Sequence, residues 1–276
     1  MLKTRIITAV VLLLVLLGVL FGGYYPAFAV TVLAFLFVAI SESFQLFKSS
    51  PKQSAVIAAV WTAVFAYAFL LNDNPSLQFW FGLSVAIWLI RFVPSLKTGL
   101  PPPEGFRNSL LGSVYALALI GCFAAILYFF KHSPTYLLSV MALVWIADIG
   151  AYFSGKAFGK RKLAPSISPG KSWEGAIGGG IAVLAISALV VLFGGNALAD
   201  TFVVKLQAAR GWFALAAILV VIVGASIVGD LFESQLKRRA GVKDSGTLLP
   251  GHGGVLDRID ALVPVLPLAA LIDAWL

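Results

Sequence analysis

Apolar residues run along this chain in long blocks, and polar residues collect in the gaps between them. The blocks are Ile6–Phe21, Ala27–Phe47, Ser54–Leu71, Ser76–Pro94, Ser109–Phe130, Thr135–Ser154, Gly175–Phe193, Trp212–Phe232 and Val255–Leu276. They lie close to the roughly 20 residues that carry an α-helix across a bilayer, and they do not alternate as the strands of a membrane barrel do. The pattern predicts an all-α polytopic integral membrane protein of about nine transmembrane helices. The gaps contain helix breakers such as Gly22-Gly23-Tyr24-Tyr25-Pro26, Asn72-Asp73-Asn74-Pro75 and Pro101-Pro102-Pro103. With no soluble domain and no repeat array, residues 1–276 read as a single membrane domain. Its first 130 residues carry little chemical information, and residues 131–276 hold the polar segments.

Composition agrees: 60% of residues are hydrophobic and 12% charged. The net charge of +8 leaves acidic lipid, nucleotide or simple orientation open, so the placement of the cations decides. With nine spans, 17 of the 20 Lys and Arg fall on the side of the N-terminus, and only Lys131, Lys205 and Arg210 on the other. That asymmetry predicts a cytoplasmic N-terminus and an external C-terminus, as in a bacterial inner membrane protein. Lys205–Phe213 reads as a segment lying along the outer interface. Ala27-Phe28-Ala29 has the form of a signal cleavage site, but the first block is long for a signal core and reads as a span. Cys122, the single cysteine, lies within a block and serves packing.

Carboxylates mark the candidate site. Asp148 lies about 9 Å inside the sixth span at 1.5 Å per residue. Asp230 and Glu233 stand one helical turn apart near the end of the eighth span, and Asp257 and Asp260 repeat that spacing at the start of the ninth. A carboxylate within a span costs roughly 2.5 kcal/mol or more unless it is paired, hydrated or metal-bound. Capping and ion pairing account for Glu233 or Asp260 taken singly as well as a site does, whereas Asp148, Asp230 and Asp257 together point to a site. The stretch Gly229–Asp260 also brings Lys237, Arg238, Arg239, Lys243 and Arg258, and His252 in a glycine corner. After the sixth span, Lys160, Arg161 and Lys162 read as topology-setting charge. Lys171 stands beside the start of a helix, where free N–H groups favour phosphate. Trp173 reads as an interfacial tryptophan. There is no paired-histidine zinc motif, no Walker A sequence and no Gly-x-Ser-x-Gly elbow. Basic residues dispersed at membrane re-entry points exclude nucleic acid as a partner.

At these residues the chain resembles the phosphatidate cytidylyltransferases, or CDP-diacylglycerol synthases. The likeness lies in Ser234-x-Leu236-Lys237-Arg238, Lys243-Asp244-x-Gly246, and Leu249-Pro250-x-His252-Gly253-Gly254-x-x-Asp257-Arg258-x-Asp260. Trp145–Tyr152 and Ser168–Gly175 extend it, with Ile149 where relatives carry a hydroxyl residue. The resemblance implies that CTP and phosphatidate give CDP-diacylglycerol and pyrophosphate at a bilayer, with magnesium, with or without a second cation, and in a homodimer. It implies metal ligation by Asp230 and Asp257, with Asp148 and Asp260 as supporting or additional ligands. Lys237, Arg238, Lys243 and Arg258 would hold the phosphates, joined by Lys171, while Ser234, His252, Gly253 and Gly254 would allow close approach. Asp244 falls within the same motif as a catalytic candidate. The expected arrangement is a polar funnel at the cytoplasmic side, built by the C-terminal helices.

A lipid phosphate is already ionised, so the reaction needs no strong base. The difficulty is repulsion: two like unit charges 4 Å apart cost about 4 kcal/mol at an effective dielectric of 20. Fixed cations and a divalent ion remove it. Two other readings compete. A membrane lipid-alcohol kinase using CTP or ATP would form a nucleoside diphosphate and no pyrophosphate. An anion or lipid transporter would expose charge to each face in turn, whereas the charges here gather on one side.

Overall fold

The structure is a computed structural model describing residues 2–72 and 76–276, without the side chains of residues 2–6. The expected turn at Asn72–Pro75 falls mostly outside the described residues. Helices dominate, and the blocks of the sequence become α1 (Leu2–Phe21), α2 (Tyr25–Leu46), α3 (Pro51–Ala66), α4 (Leu77–Ile87), α5 (Val93–Thr98), α6 (Phe106–His132), α7 (Pro134–Phe158), α8 (Trp173–Phe193), α9 (Phe202–Ala240), α10 (Leu256–Ile259) and α11 (Leu262–Asp273). A π-helical turn extends α3 to Leu71, and another joins α4 to α5 without a break. Among the described residues seven helices are long and apolar enough to cross a membrane, and Ile7–Phe21 and Leu262–Asp273 are shorter apolar helices.

Local chemistry explains the boundaries. Ser50 caps α3 in a reciprocal capping box with Gln53, and Pro51 follows it at the first helical position. Ser133 and Ser172 cap α7 and α8 by accepting from Tyr136 N and Gly175 N. The long α9 breaks at Gly211, whose φ of 78° is a left-handed value favouring glycine. This break separates Phe202–Arg210 from the helix that carries Asp230.

Two departures from the sequence reading matter. The connection between α7 and α8 is an antiparallel hairpin of β1 (Lys162–Ala164) and β2 (Ser168–Ser172). The last block is not one helix from Val255 to Leu276: it is the four-residue α10, a break at Asp260-Ala261, and the 12-residue α11. At 1.5 Å per residue α11 is only about 18 Å long. Its buried face packs against α4, α6 and α9, so it serves as an inner element of the bundle.

The centre of the bundle is α6, with Tyr115, Phe123 and Phe129 fully buried. Trp88, Phe92, Tyr115 and Phe232 form an aromatic cluster that joins α6 to α9 through the π-turn. Backbones of α7 and α8 approach closely because small residues line their contact. A Cβ on Gly179 would stand 2.6 Å from the Ala147 carbonyl, and one on Gly150 would stand 2.7 Å from Ala182 Cβ.

The connections sort to two ends. At one, Tyr128 and Tyr136 donate to Asp273, and Ser133 donates to Asp200. Bonds from Ser133 and His132 hold the Asp200 carboxyl below its ordinary range. At the other end, Lys48 Nζ donates to Ala240 O (2.7 Å), Asn108 to Phe47 O (2.7 Å) and Gln235 to Ser95 O (2.9 Å). That second end carries the hairpin and the Gly229–Asp260 stretch.

Candidate active site

Three elements separated in sequence meet at this end. The glycine-mediated contact of α7 and α8 places Asp148 beside the hairpin, and α9 brings Asp230 from the third direction. Between them lies a hollow of about 430 Å³, lined among others by Asp148, Lys156, Gly170, Lys171, Ser172 and Asp230. Lys171 Nζ lies 2.5 Å from Asp230 Oδ2, and Ser234 donates to Asp230 Oδ1 at 3.2 Å. Asp148 interacts electrostatically with both Asp230 and Lys171. The hollow therefore presents two carboxylates, two lysines, and backbone at the start of α8.

The second carboxylate pair behaves differently. Asp257 is 9% exposed, and its oxygens are taken. Oδ1 accepts from Lys237 Nζ at 2.6 Å; Oδ2 accepts from Ser245 N (2.8 Å), Ser245 Oγ (2.9 Å) and Gly254 N (2.8 Å). Lys237 is held between Asp257 and the fully buried Glu233, whose Oε2 lies 2.5 Å from Nζ. Removing either partner would strand a buried charge. Asp260 accepts from Ala261 N at 2.8 Å and interacts electrostatically with Asp230 and Lys237. Asp257 and Asp260 stand one turn apart on α10 and its C-cap, as their spacing implies, but they take different partners.

A glycine corner closes around this network. Gly253 has φ 80°, and a Cβ there would stand 2.5 Å from Asp257 Oδ2. His252 Nδ1 is buried without a hydrogen-bond partner among the described residues. Arg238 donates to Ile167 O, at 3.4 Å, tying α9 to the hairpin. Lys243, Asp244 and Arg258 are exposed, and none has an ion pair among the described residues.

The sequence reading missed one member of this network, Glu42. It is 5% exposed on α2. Its Oε1 accepts from Val255 N (3.2 Å), and its Oε2 from Leu256 N (2.8 Å) and Ser245 Oγ (3.1 Å). Ser245 thus bridges Glu42 and Asp257. Gly246 and Gly254 fit against the Glu42 carboxylate, where a Cβ on either would come within 2.4 Å of an oxygen. The available signal was a lone carboxylate inside an otherwise uncharged block, which must be paired if it is buried.

A magnesium ion needs hard oxygen ligands, and one or two carboxylates suffice when substrate phosphates supply the rest. Asp148 and Asp230, which line one hollow, fit that limited requirement. No group of three His, Cys, Asp or Glu among the described residues is placed to hold a metal. The pairing of Asp230 with Asp257 expected from the sequence differs from this arrangement. The two line separate hollows, and Asp257 is already saturated by Lys237, Ser245 and Gly254.

Comparison with known proteins identifies relatives along the whole chain. A model of the cytidylyltransferase family matches residues 3–275. The chain is 36% identical to the phosphatidate cytidylyltransferase of Haemophilus influenzae, across 97% of its own length and 96% of the relative's. It is 41% identical to that of Pseudomonas aeruginosa, with 98% and 96% covered. Identity to that of Bacillus subtilis is 32%, with 96% and 95% covered.

Proposed function

The chain belongs to the cytidylyltransferase family, and we propose that it transfers the cytidylyl group of CTP to phosphatidate, giving CDP-diacylglycerol and pyrophosphate. A non-bridging oxygen of the lipid phosphate attacks the α-phosphorus, forming a new P–O bond, while the bond from that phosphorus to the β-phosphate oxygen breaks and its electron pair leaves with pyrophosphate. The observation that carries this reading is the hollow between α7, α8 and α9, where Asp148, Lys171 and Asp230 meet beside an N-capped helix start. It offers what a triphosphate needs: fixed cations and carboxylates for the accompanying ion.

In this reading Lys171 and Lys156 receive the triphosphate, and exposed Lys243 reaches it from the loop after α9. Asp148 and Asp230 would hold magnesium, which when bound neutralises phosphate charge. Lys171 is already paired with Asp230, so a bound nucleotide competes with that carboxylate for the lysine. Asp257 and Lys237 act one step back, holding the glycine corner in shape. Asp260 adds negative charge beside Asp230. Asp244 and Ser234 stay at the rim and beside Asp230. The cation asymmetry supports an active site on the cytoplasmic side of a bacterial inner membrane, with the N-terminus inside and the C-terminus outside. The homodimer implied by the resemblance belongs to the same reading, and chemical crosslinking in native membranes tests it.

The decisive experiment incubates purified chain with CTP labelled on its α-phosphate, phosphatidate and magnesium. Label in a lipid product, together with unlabelled pyrophosphate, is expected, and chelation by EDTA should stop it. Label appearing only in CDP, or CTP left intact while anions cross a vesicle membrane, would overturn the reading.

A further inference from the structure

A second hollow, of about 500 Å³, opens between α1, α2, α6 and α7 and ends at the same polar end of the bundle. Leu12, Leu16 and Val19 of α1 and Met141 and Val144 of α7 face it, with Phe35 of α2. The walls run down the helices: from Leu137 to Asp148 along α7 is about 16 Å at 1.5 Å per residue. That is roughly half the 30 Å hydrocarbon thickness of a bilayer, the depth of one leaflet. Charge enters only at one end, where Asp148, His252, Asp257, Arg258 and Asp260 line it. Thr8 of α1 donates to Pro250 O at 2.9 Å, so the apolar wall is fastened to the loop that carries His252.

Among the described residues lining that end, Arg258 is the one cation beside the carboxylates Asp148, Asp257 and Asp260, and it is where an anion would be held. Asp257 is paired with Lys237, which it shares with Glu233, while Arg258 has no ion pair among the described residues. The buried Nδ1 of His252, without a hydrogen-bond partner among the described residues, belongs to the same lining. An apolar trough one leaflet deep, closed by a free guanidinium and an unsatisfied imidazole nitrogen, matches an amphiphile with an anionic head. Asp148 lines both hollows, so the head of such a molecule would arrive beside the nucleotide hollow.

We propose that this trough seats an acyl chain of the lipid substrate, with the lipid phosphate held by Arg258 and His252. The proposal rests on the phosphatidate reading above. It assigns Arg258 to the lipid rather than to the triphosphate. It also gives α1 and α2 a task in substrate selection.

The test compares wild type with Leu16→Trp and Met141→Trp, which fill the trough from opposite walls, on dioleoyl and dihexanoyl phosphatidate in mixed micelles. Each substitution should raise the KM for the dioleoyl lipid by about tenfold, the loss from unburying one or two methylenes. KM for CTP and turnover of the dihexanoyl lipid should stay within about twofold, a change of under 0.5 kcal/mol. Equal effects on both lipids, or on neither, would overturn the proposal. Should the tryptophan variants not fold, dioleoyl-length phosphatidate bearing a terminal diazirine on one chain decides with the wild type. Crosslinks within residues 9–20, 28–35, 123–126 or 137–145 support the trough, and crosslinks elsewhere overturn it. If wild type converts neither lipid, the phosphatidate reading itself falls. Conversion of both lipids with no chain-dependent change refutes only the trough.

Discussion

Replacing Glu42 should damage the enzyme more than a single charge on α2 would suggest, because its carboxylate is the acceptor for three donors of a segment more than 200 residues away. In Glu42→Ala, Val255 N and Leu256 N lose their acceptor, while Ser245 Oγ keeps Asp257 Oδ2. Each buried unsatisfied donor costs about 1–3 kcal/mol, but water entering the space left by the side chain recovers part of that. A net loss of roughly 2–4 kcal/mol follows. At 2–4 °C per kcal/mol for a chain of this order of size, the unfolding midpoint in detergent should fall by about 10 °C. Glu42→Gln keeps the volume and one acceptor oxygen, yet its amide must face an N–H donor, so about 1–3 kcal/mol is lost. The bridge through Ser245 to Asp257 adds a functional signature: kcat should fall more than the KM for CTP. Glu42→Gln combined with Ser245→Ala should show coupling of about 0.5–3 kcal/mol. A Glu42→Ala protein with wild-type midpoint and wild-type kcat would refute the reasoning, since it would mean that the carboxylate holds nothing in place.

Other expectations can be checked with the same purified protein. Asp257→Asn puts an amide where Lys237 and three loop donors converge, so both transfer activity and about 3–5 kcal/mol of stability should be lost; an inactive protein of unchanged thermal midpoint would mean that Asp257 acts on the substrate alone. Lys243→Ala removes an exposed cation with no ion pair among the described residues, so the KM for CTP should rise by about tenfold, one lost charge-assisted contact, with the midpoint unmoved. An unchanged KM would remove Lys243 from the triphosphate site. Gly179→Val forces α7 and α8 apart at the Ala147 carbonyl, and it should lower the midpoint and weaken CTP binding together because the nucleotide hollow lies along that contact. Normal CTP affinity in that variant would show that the hollow does not depend on this close approach.

Block length and charge asymmetry were legible because they are local: an uninterrupted apolar run of this length has few homes other than a bilayer, and a basic gap has a preferred side. Asp148, Lys171 and Asp230 could be singled out for the same reason, each being a costly or unusual residue in its own neighbourhood. Partner choice was not legible. Asp257 and Asp260 keep the one-turn spacing read from the sequence, but nothing local shows that Asp257 is consumed by Lys237 and Ser245. Lys237 reads as a phosphate ligand, yet Glu233 and Asp257 enclose it.

From the sequence alone came the membrane class, the blocks that become helices and the motif that names the chemistry, all of which depend on residues close together in the chain. Tertiary structure decided which carboxylates stay available and which are consumed internally. It placed Glu42 beneath the glycine corner and gave α1 and α2 a wall of the second hollow. The physical reason is that pairing a buried charge depends on distance in space, and in this bundle the nearest partner is often 20 to 200 residues away along the chain.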